Sequence, residues 1–340
     1  MNVLIDIIHP AHLNLFKRVI FKLHEEGHNV IVTCINRGKI PKIVKSELAP
    51  VPVFVIGRHR GSTLSILVEA NIIRFFLLFF FIVRRKVDVG ISFGSFLMGA
   101  VLTILGKPNI HLCDDPERKL NAVMENLTCR ERYLPPIIEP KGKVRTFNAL
   151  KEWAYLSPRY FRPVPRALEP FNVSPKDYIF IREVSTGSLN YKGQQTGLVG
   201  TFANKLDPGL KVIFSLEDKS LINRYPKSWI LLEEPVKDIQ SLIYFSKMVI
   251  SSGDSMAREG AMLGVPGIYC GKREMTANNL LMDKGMLFKV PPQECPEFVT
   301  SVIKGKIKVH DQSEFRNHLL DEWEDVTEFL LQTIKKYQKK

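Results

Sequence analysis

The sequence has no closely spaced cysteine pair, no low-complexity block, and no apolar run long enough to cross a bilayer. Its five cysteines (Cys34, Cys113, Cys129, Cys270 and Cys295) stand far apart. With no C-x-x-C pair they form no zinc or redox motif, and their odd number argues against a disulfide framework. No metal is expected, and a reducing cytoplasm is the expected compartment. No G-x-G-x-x-G follows the first apolar run, which argues against a classical NAD site. The opening MNVLIDIIHP lacks a basic stretch and a cleavage site, so it reads as a strand rather than a signal peptide.

What remains is an ordinary globular composition, 45% hydrophobic and 24% charged. The 340 residues exceed what one core usually supports, so two domains are expected. The net charge of +13 invites an anionic partner. The basic residues are scattered and carry no RNA-binding signature. Nucleic acid therefore ranks behind phosphate-bearing small substrates and anionic lipid surfaces.

Short apolar runs alternate with helical patterns, the signature of parallel sheets with crossover helices. Strands are expected at Asn2–Ile8, Asn29–Cys34, Val51–Ile56, Val89–Ser92 and Ile110–Leu112. They recur at Tyr178–Ile181, Lys211–Phe214, Trp229–Leu232, Met248–Ser251 and Gly267–Tyr269. Helices are expected at Leu13–Glu26, Lys237–Phe245, Met256–Leu263 and within Ser313–Tyr337. Pro135–Pro175, rich in proline and aromatics, reads as the inter-domain passage. The division expected is a Rossmann-like domain over 1–160, a second over 161–312, and a terminal helix over 313–340 that packs back on the first.

Phe75–Val83 (FFLLFFFIV) departs from this pattern. It is shorter than the roughly 20 residues of a spanning helix. Two readings stay open: a helix buried between the sheet and its neighbours, or a peripheral surface dipping aromatics into lipid between Arg74 and Arg84-Arg85-Lys86.

In doubly wound sheets, ligands meet the carboxyl ends of strands. The first strand ends in Asp6-Ile7-Ile8-His9-Pro10-Ala11-His12. Either histidine suits proton transfer near neutral pH, or caps the following helix. Ser92-Phe93-Gly94-Ser95 offers Gly94 and Ser95 to a ligand, or makes a tight turn. In Cys113-Asp114-Asp115-Pro116-Glu117, Asp114 is the preferred carboxylate, and Asp115 competes as a helix N-cap before Pro116. Ser251-Ser252-Gly253-Asp254-Ser255-Met256-Ala257-Arg258-Glu259-Gly260 is the strongest motif. Its strand, small-residue turn and helix would aim the amides of Gly253–Met256 at a diphosphate. Glu259 then reaches ribose hydroxyls, or is a surface carboxylate. Lys272 follows the next strand.

This last pattern resembles the nucleotide-sugar site of UDP-GlcNAc 2-epimerases and the peptidoglycan GlcNAc transferase. The whole chain resembles an uncharacterised prokaryotic GT-B-like family. The shared marks are Asp6–His12, Ile91–Ser95, Asp114 and Lys151-Glu152-Trp153-Ala154-Tyr155-Leu156-Ser157-Pro158, and they cover residue 1 to about residue 290. The resemblance implies a metal-independent GT-B fold, two Rossmann-like domains facing a cleft. The C-terminal half would hold the donor through Ser252–Ser255 and Glu259, with His12 and Asp114 across from it. The chain departs from the family at Pro116-Glu117 and along Arg182–Asn190.

The function expected is a glycosyltransferase using a UDP-type donor, without a further cofactor, on a polysaccharide or lipid-linked acceptor. His12 or Asp114 would be the base, His9, Gly94 and Ser95 would meet the acceptor, Arg182, Lys272 and the helix at Ser255 would stabilise the leaving diphosphate, and Ser185 would help bind the donor. A histidine base would show an acidic limb near pH 6.5, an aspartate one well below it. The alternatives are a 2-epimerase acting on the nucleotide-sugar alone and a non-catalytic nucleotide-sugar-binding subunit. A cytoplasmic site of action, at the inner membrane face if Phe75–Val83 meets lipid, accompanies the leading reading. Sequence gives no oligomeric state.

Overall fold

The computed structural model describes residues 1–338 except 61–64, 188–190, 192, 234–235 and 237, with only the backbone for 66 and 67. The chain forms two compact units, Met1–Tyr155 with Trp323–Lys340, and Leu156–Glu322.

The first unit runs β1 (Asn2–Ile7), α1 (Pro10–Glu25), β2 (Asn29–Asn36), α2 (Ile40–Leu48), β3 (Val53–Arg58), a π-helical stretch (Ser65–Ile73) and α3 (Arg74–Val83). It continues with β4 (Val89–Phe93), α4 (Phe96–Ile104), β5 (Asn109–Leu112), α5 (Lys119–Thr128), β6 (Glu131–Leu134) and β7 (Val144–Thr146), then reaches the short α6 (Trp153–Leu156). All strands are parallel, in the order β3-β2-β1-β4-β5-β6-β7. Because helices cover both faces, β1 and β4 are apolar along nearly their whole length and buried.

The second unit runs β8 (Tyr178–Glu183), β9 (Lys211–Leu216), β10 (Ile230–Leu231), α7 (Ile239–Phe245), β11 (Val249–Ser251), α8 (Asp254–Met262), β12 (Gly267–Tyr269) and α9 (Thr276–Met282). It ends with β13 (Leu287–Lys289), α10 (Cys295–Ile303) and α11 (Gln312–Glu322). Its strands are also parallel, ordered β10-β9-β8-β11-β12-β13. The last helix, α12 (Val326–Lys335), belongs to the first unit. Each sheet reverses its winding once, between β1 and β4 and between β8 and β11. Ligands of such sheets collect beside those reversals.

Several expectations change. Pro135–Pro175 is no single passage: Val144–Thr146 extends the first sheet, and Phe147, Leu150 and Trp153 are buried. The expected terminal helix is two, broken where Trp323 packs on Trp153 (ring centroids 5.5 Å apart) and Asp325 caps α12 by accepting from Glu328 N–H at 3.1 Å. Residue 237, expected to begin a helix, lies outside the described residues, and α7 starts at Ile239. Arg74 is no surface flank. It is buried and ion-paired with Asp6 at 2.7 Å. Phe75–Val83 is not buried all round, since α3 buries Leu78 and Ile82 and exposes Phe76, Leu77, Phe80 and Val83. Among the described residues no helix is long and apolar enough to cross a membrane.

Candidate functional site

At the reversal of the first sheet, Asp6 anchors the strand ends. Its carboxylate accepts from Arg74 Nη2 (2.7 Å), Thr33 Oγ1 (2.8 Å) and Ser95 Oγ (2.7 Å). The end of β1, the middle of β2, the start of α3 and the N-cap of α4 are thereby tied to one buried charge, and the Ser95 hydroxyl is spent on positioning. Ser92 Oγ donates to the Ser95 carbonyl at 3.1 Å, which shapes the turn around Gly94, and Gly94 has a φ of 62° that favours glycine.

The two histidines separate in role. His9 is the N-cap of α1, its Nδ1 accepting from Ala11 N–H at 3.2 Å. His12 lies inside the helix and is buried, and its Nδ1 has no hydrogen-bond partner among the described residues. Burial holds its pKa well below the ordinary histidine value, with His9 and Lys151 adding to the effect and Asp114 opposing it. His12 is therefore neutral at pH 7, a buried imidazole with an open nitrogen. A buried polar atom without a protein partner is met by a water, an ion or a ligand, or serves in catalysis.

His12 sits against Phe93, centroids 5.1 Å apart, and Lys151 Nζ lies 5.1 Å from the same ring. Lys151 pairs with Asp114 and, at 3.1 Å, with Glu152 Oε1. All three charges are buried. Asp115 does not cap α5, which starts at Lys119 after Arg118 with no side-chain cap; the Asp115 N–H instead donates to Cys113 Sγ at 3.4 Å.

At the reversal of the second sheet, β11 ends in Ser251, and Ser252-Gly253 leads into α8. A Cβ on Gly253 would lie 2.6 Å from Val184 Cγ1 and 3.0 Å from the Tyr191 hydroxyl, so only glycine lets the two loops meet. The Gly253 end of α8 has no side-chain cap, which leaves its first-turn amides to an anion. Asp254, expected on the donor, points to its own counter-charges. It lies 3.8 Å from both Arg258 and Arg273 and accepts from Tyr191 at 3.3 Å. Ser255 and Met256 stand at the open edge, and Glu259 is buried, which removes its reading as a surface carboxylate.

Ser252 Oγ donates to Glu183 at 2.6 Å and accepts from Val184 N–H at 3.0 Å. Burial pushes the Glu183 carboxyl up, although Ser252, Val199 N–H (2.6 Å) and Tyr225 (3.1 Å) all donate to it. Gln194 bridges the Ser252 carbonyl and Lys272 N–H, each at 3.0 Å. Arg182 binds Ser215 Oγ at 2.5 Å and pairs with Glu217, which also accepts from Ser185 N–H at 2.8 Å. Tyr269, at the end of β12, is buried, and burial pushes its phenol pKa up, with Asp254 adding to the effect. Among those residues no three His, Cys, Asp or Glu side chains gather as a metal site would.

A family model described as a protein of unknown function, DUF354, matches residues 1–153 and 186–339. The chain belongs to this family. An uncharacterised protein of Methanocaldococcus jannaschii is 23% identical over 354 residues, covering 100% of the DUF354 chain and 99% of that relative. Among solved structures, the spinosyn forosaminyltransferase SpnP superposes with a TM-score of 0.71 at 14% identity, covering 100% of both chains. The UDP-N-acetylglucosamine 2-epimerase of Rickettsia bellii gives 0.70 at 14%, covering 99% of this chain and 96% of that one. The likeness shows the fold, which is of GT-B type with two Rossmann-like α/β domains.

Lys151, Glu183, Gln194 and Glu217 join the candidate site without a local sequence signal of their own. Lys151 was visible only as part of a family mark, because its partner Asp114 is 37 positions away. The stretch 182–190 holds the other signal, two charged residues ending β8 ahead of a loop, although 188–190 lie outside the described residues.

Proposed function

We propose that this DUF354 protein is a glycosyltransferase using a UDP-type nucleotide-sugar. The observation that carries the reading is the uncapped start of α8 at the reversal of the second sheet, behind a glycine that admits no side chain. Amides of Ser255 and Met256 bind the diphosphate, with Lys272 near it and Glu259 on the ribose. The Rickettsia UDP-N-acetylglucosamine 2-epimerase, which shares this fold, supports that class of ligand, and SpnP, a forosaminyltransferase of the same fold, supports sugar transfer. In the first unit, neutral His12 takes the proton of the acceptor hydroxyl, and the Asp114–Lys151 pair orients it. The acceptor is a saccharide or lipid-linked hydroxyl, met near His9 and Gly94.

A second reading is favoured by the first unit's acid-rich cluster. Asp114 and Glu152 on either side of Lys151, beside a histidine, also suit elimination and re-addition of UDP in a 2-epimerase. Incubation with UDP-GlcNAc separates the readings. Slow release of UDP and free GlcNAc is the transferase result, and inversion at C2 is the epimerase result. Tight binding with neither product would replace both with a non-catalytic nucleotide-sugar subunit.

A further inference from the structure

Three helices of the first unit carry an apolar surface that the fold leaves uncovered. The connections β3→β4, β4→β5 and β5→β6 all step the same way across the sheet, so right-handed crossovers lay α3, α4 and α5 on one face. There α4 packs between the other two. From α3, Phe76 (54% exposed) and Phe80 (53%) project outward with Leu77 and Val83, and Ile104 ends α4 in the same state.

The third helix is inside out. α5 buries Glu125, which is ion-paired with Arg132 at 2.9 Å and lies 3.2 Å from His111, and it exposes Leu120 (77%), Val123 and Leu127 at spacings of three and four. A surface helix normally does the reverse. No acidic residue occurs from Ala70 to Val87 or from Val89 to Cys113. Cations ring the face instead: Arg84, Lys86, Lys107 and Arg130 follow the ends of the three helices, and Arg118 and Lys119 open α5. All six are exposed, and none is ion-paired among the described residues.

We infer that the α3–α4–α5 face docks on an anionic lipid bilayer, its apolar side chains entering the acyl boundary and its cations meeting phosphate head groups. A second copy of the chain is a poor occupant, because a two-fold contact sets the same cations against each other. The contact does not depend on what the strand ends bind, so its test needs no enzymatic activity.

The test is co-sedimentation with phosphatidylglycerol–phosphatidylcholine vesicles, compared with phosphatidylcholine alone. The protein should sediment with the anionic vesicles and, at least about tenfold less, with the neutral ones. Leu120→Ser, Val123→Ser and Leu127→Ser together should cut partitioning at least about tenfold while thermal unfolding stays near that of the parent, since these side chains are already in solvent. A Leu127→Trp reporter should be quenched by brominated phosphatidylcholine mixed into the anionic vesicles. The inference falls if the parent does not sediment, or if the triple variant sediments equally well. It also falls if sedimentation equilibrium shows a dimer that the triple variant dissolves, in which case a second copy covers the face.

Discussion

The two units share a parallel sheet with one winding reversal, yet they place opposite chemistry beside it. In the first unit the strand ends gather ionisable side chains in a buried setting: neutral His12, and Lys151 between Asp114 and Glu152. In the second, the carboxylates turn inward to hold loops, Glu183 on Ser252 and Glu217 on Arg182 and Ser185. What that unit leaves open are amides at a helix start. A buried imidazole with a spare nitrogen suits proton transfer, and a pre-organised set of backbone donors suits an anion. On the proposed function, this contrast would put the chemistry in the first unit and donor binding in the second.

The sharpest way to break that division is His12→Ala. Turnover should fall about 10²- to 10⁴-fold, the usual contribution of a general base, with UDP affinity unchanged. Near-normal turnover would remove His12 from the chemistry. Lys151→Met tests whether the acid cluster is held by its cation. Removing a buried charge partner typically costs about 3–5 kcal/mol, to be read from denaturant unfolding of the full chain. A loss below about 1 kcal/mol would show that the pair is not structural. On the other side of the comparison, Glu259→Ala should weaken UDP binding by about 1.5–3 kcal/mol in calorimetry if it holds ribose hydroxyls. Unchanged affinity removes it from the site.

The smallest effect expected is in pH. Burial, His9 and Lys151 all disfavour the imidazolium of His12, so its proton is gained only well below pH 6.5. The rate should therefore stay level as pH falls through 6.5 and drop only at more acidic values. A limb at 6.5 would mean that His12 is solvated or is not the base. The expected contrast between a histidine limb and a lower aspartate limb is lost here, so the His12→Ala variant must separate the two candidates.

The architecture was largely legible because strands buried on both faces must be apolar, as Val3–Ile5 and Ile179–Ile181 are. β6 and β7 were not legible for the same reason. Glu131 and Arg132 make β6 polar, their charges satisfied by Tyr133 and Glu125, and β7 has only three residues. The break between α11 and α12 depends on Trp323 finding Trp153 far back in the chain, which no local pattern reports. The site divided similarly. His12, Asp114 and the Ser252–Glu259 motif stand at strand ends, where position alone nominates them. Lys151 and Glu183 acquire meaning only through long-range partners, and Asp254 and Ser95 proved to be occupied by theirs.

Calorimetric titration with UDP of the parent, His12→Ala and Gly253→Ala tests the division most directly. The added Cβ at Gly253 would meet Val184 at 2.6 Å and displace the loop over the α8 start, while His12 lies in the other unit. The parent and His12→Ala should bind UDP with the same affinity, and Gly253→Ala should bind at least about tenfold more weakly. Loss of UDP binding in His12→Ala with affinity kept in Gly253→Ala, or no binding by the parent at millimolar UDP, would contradict the account.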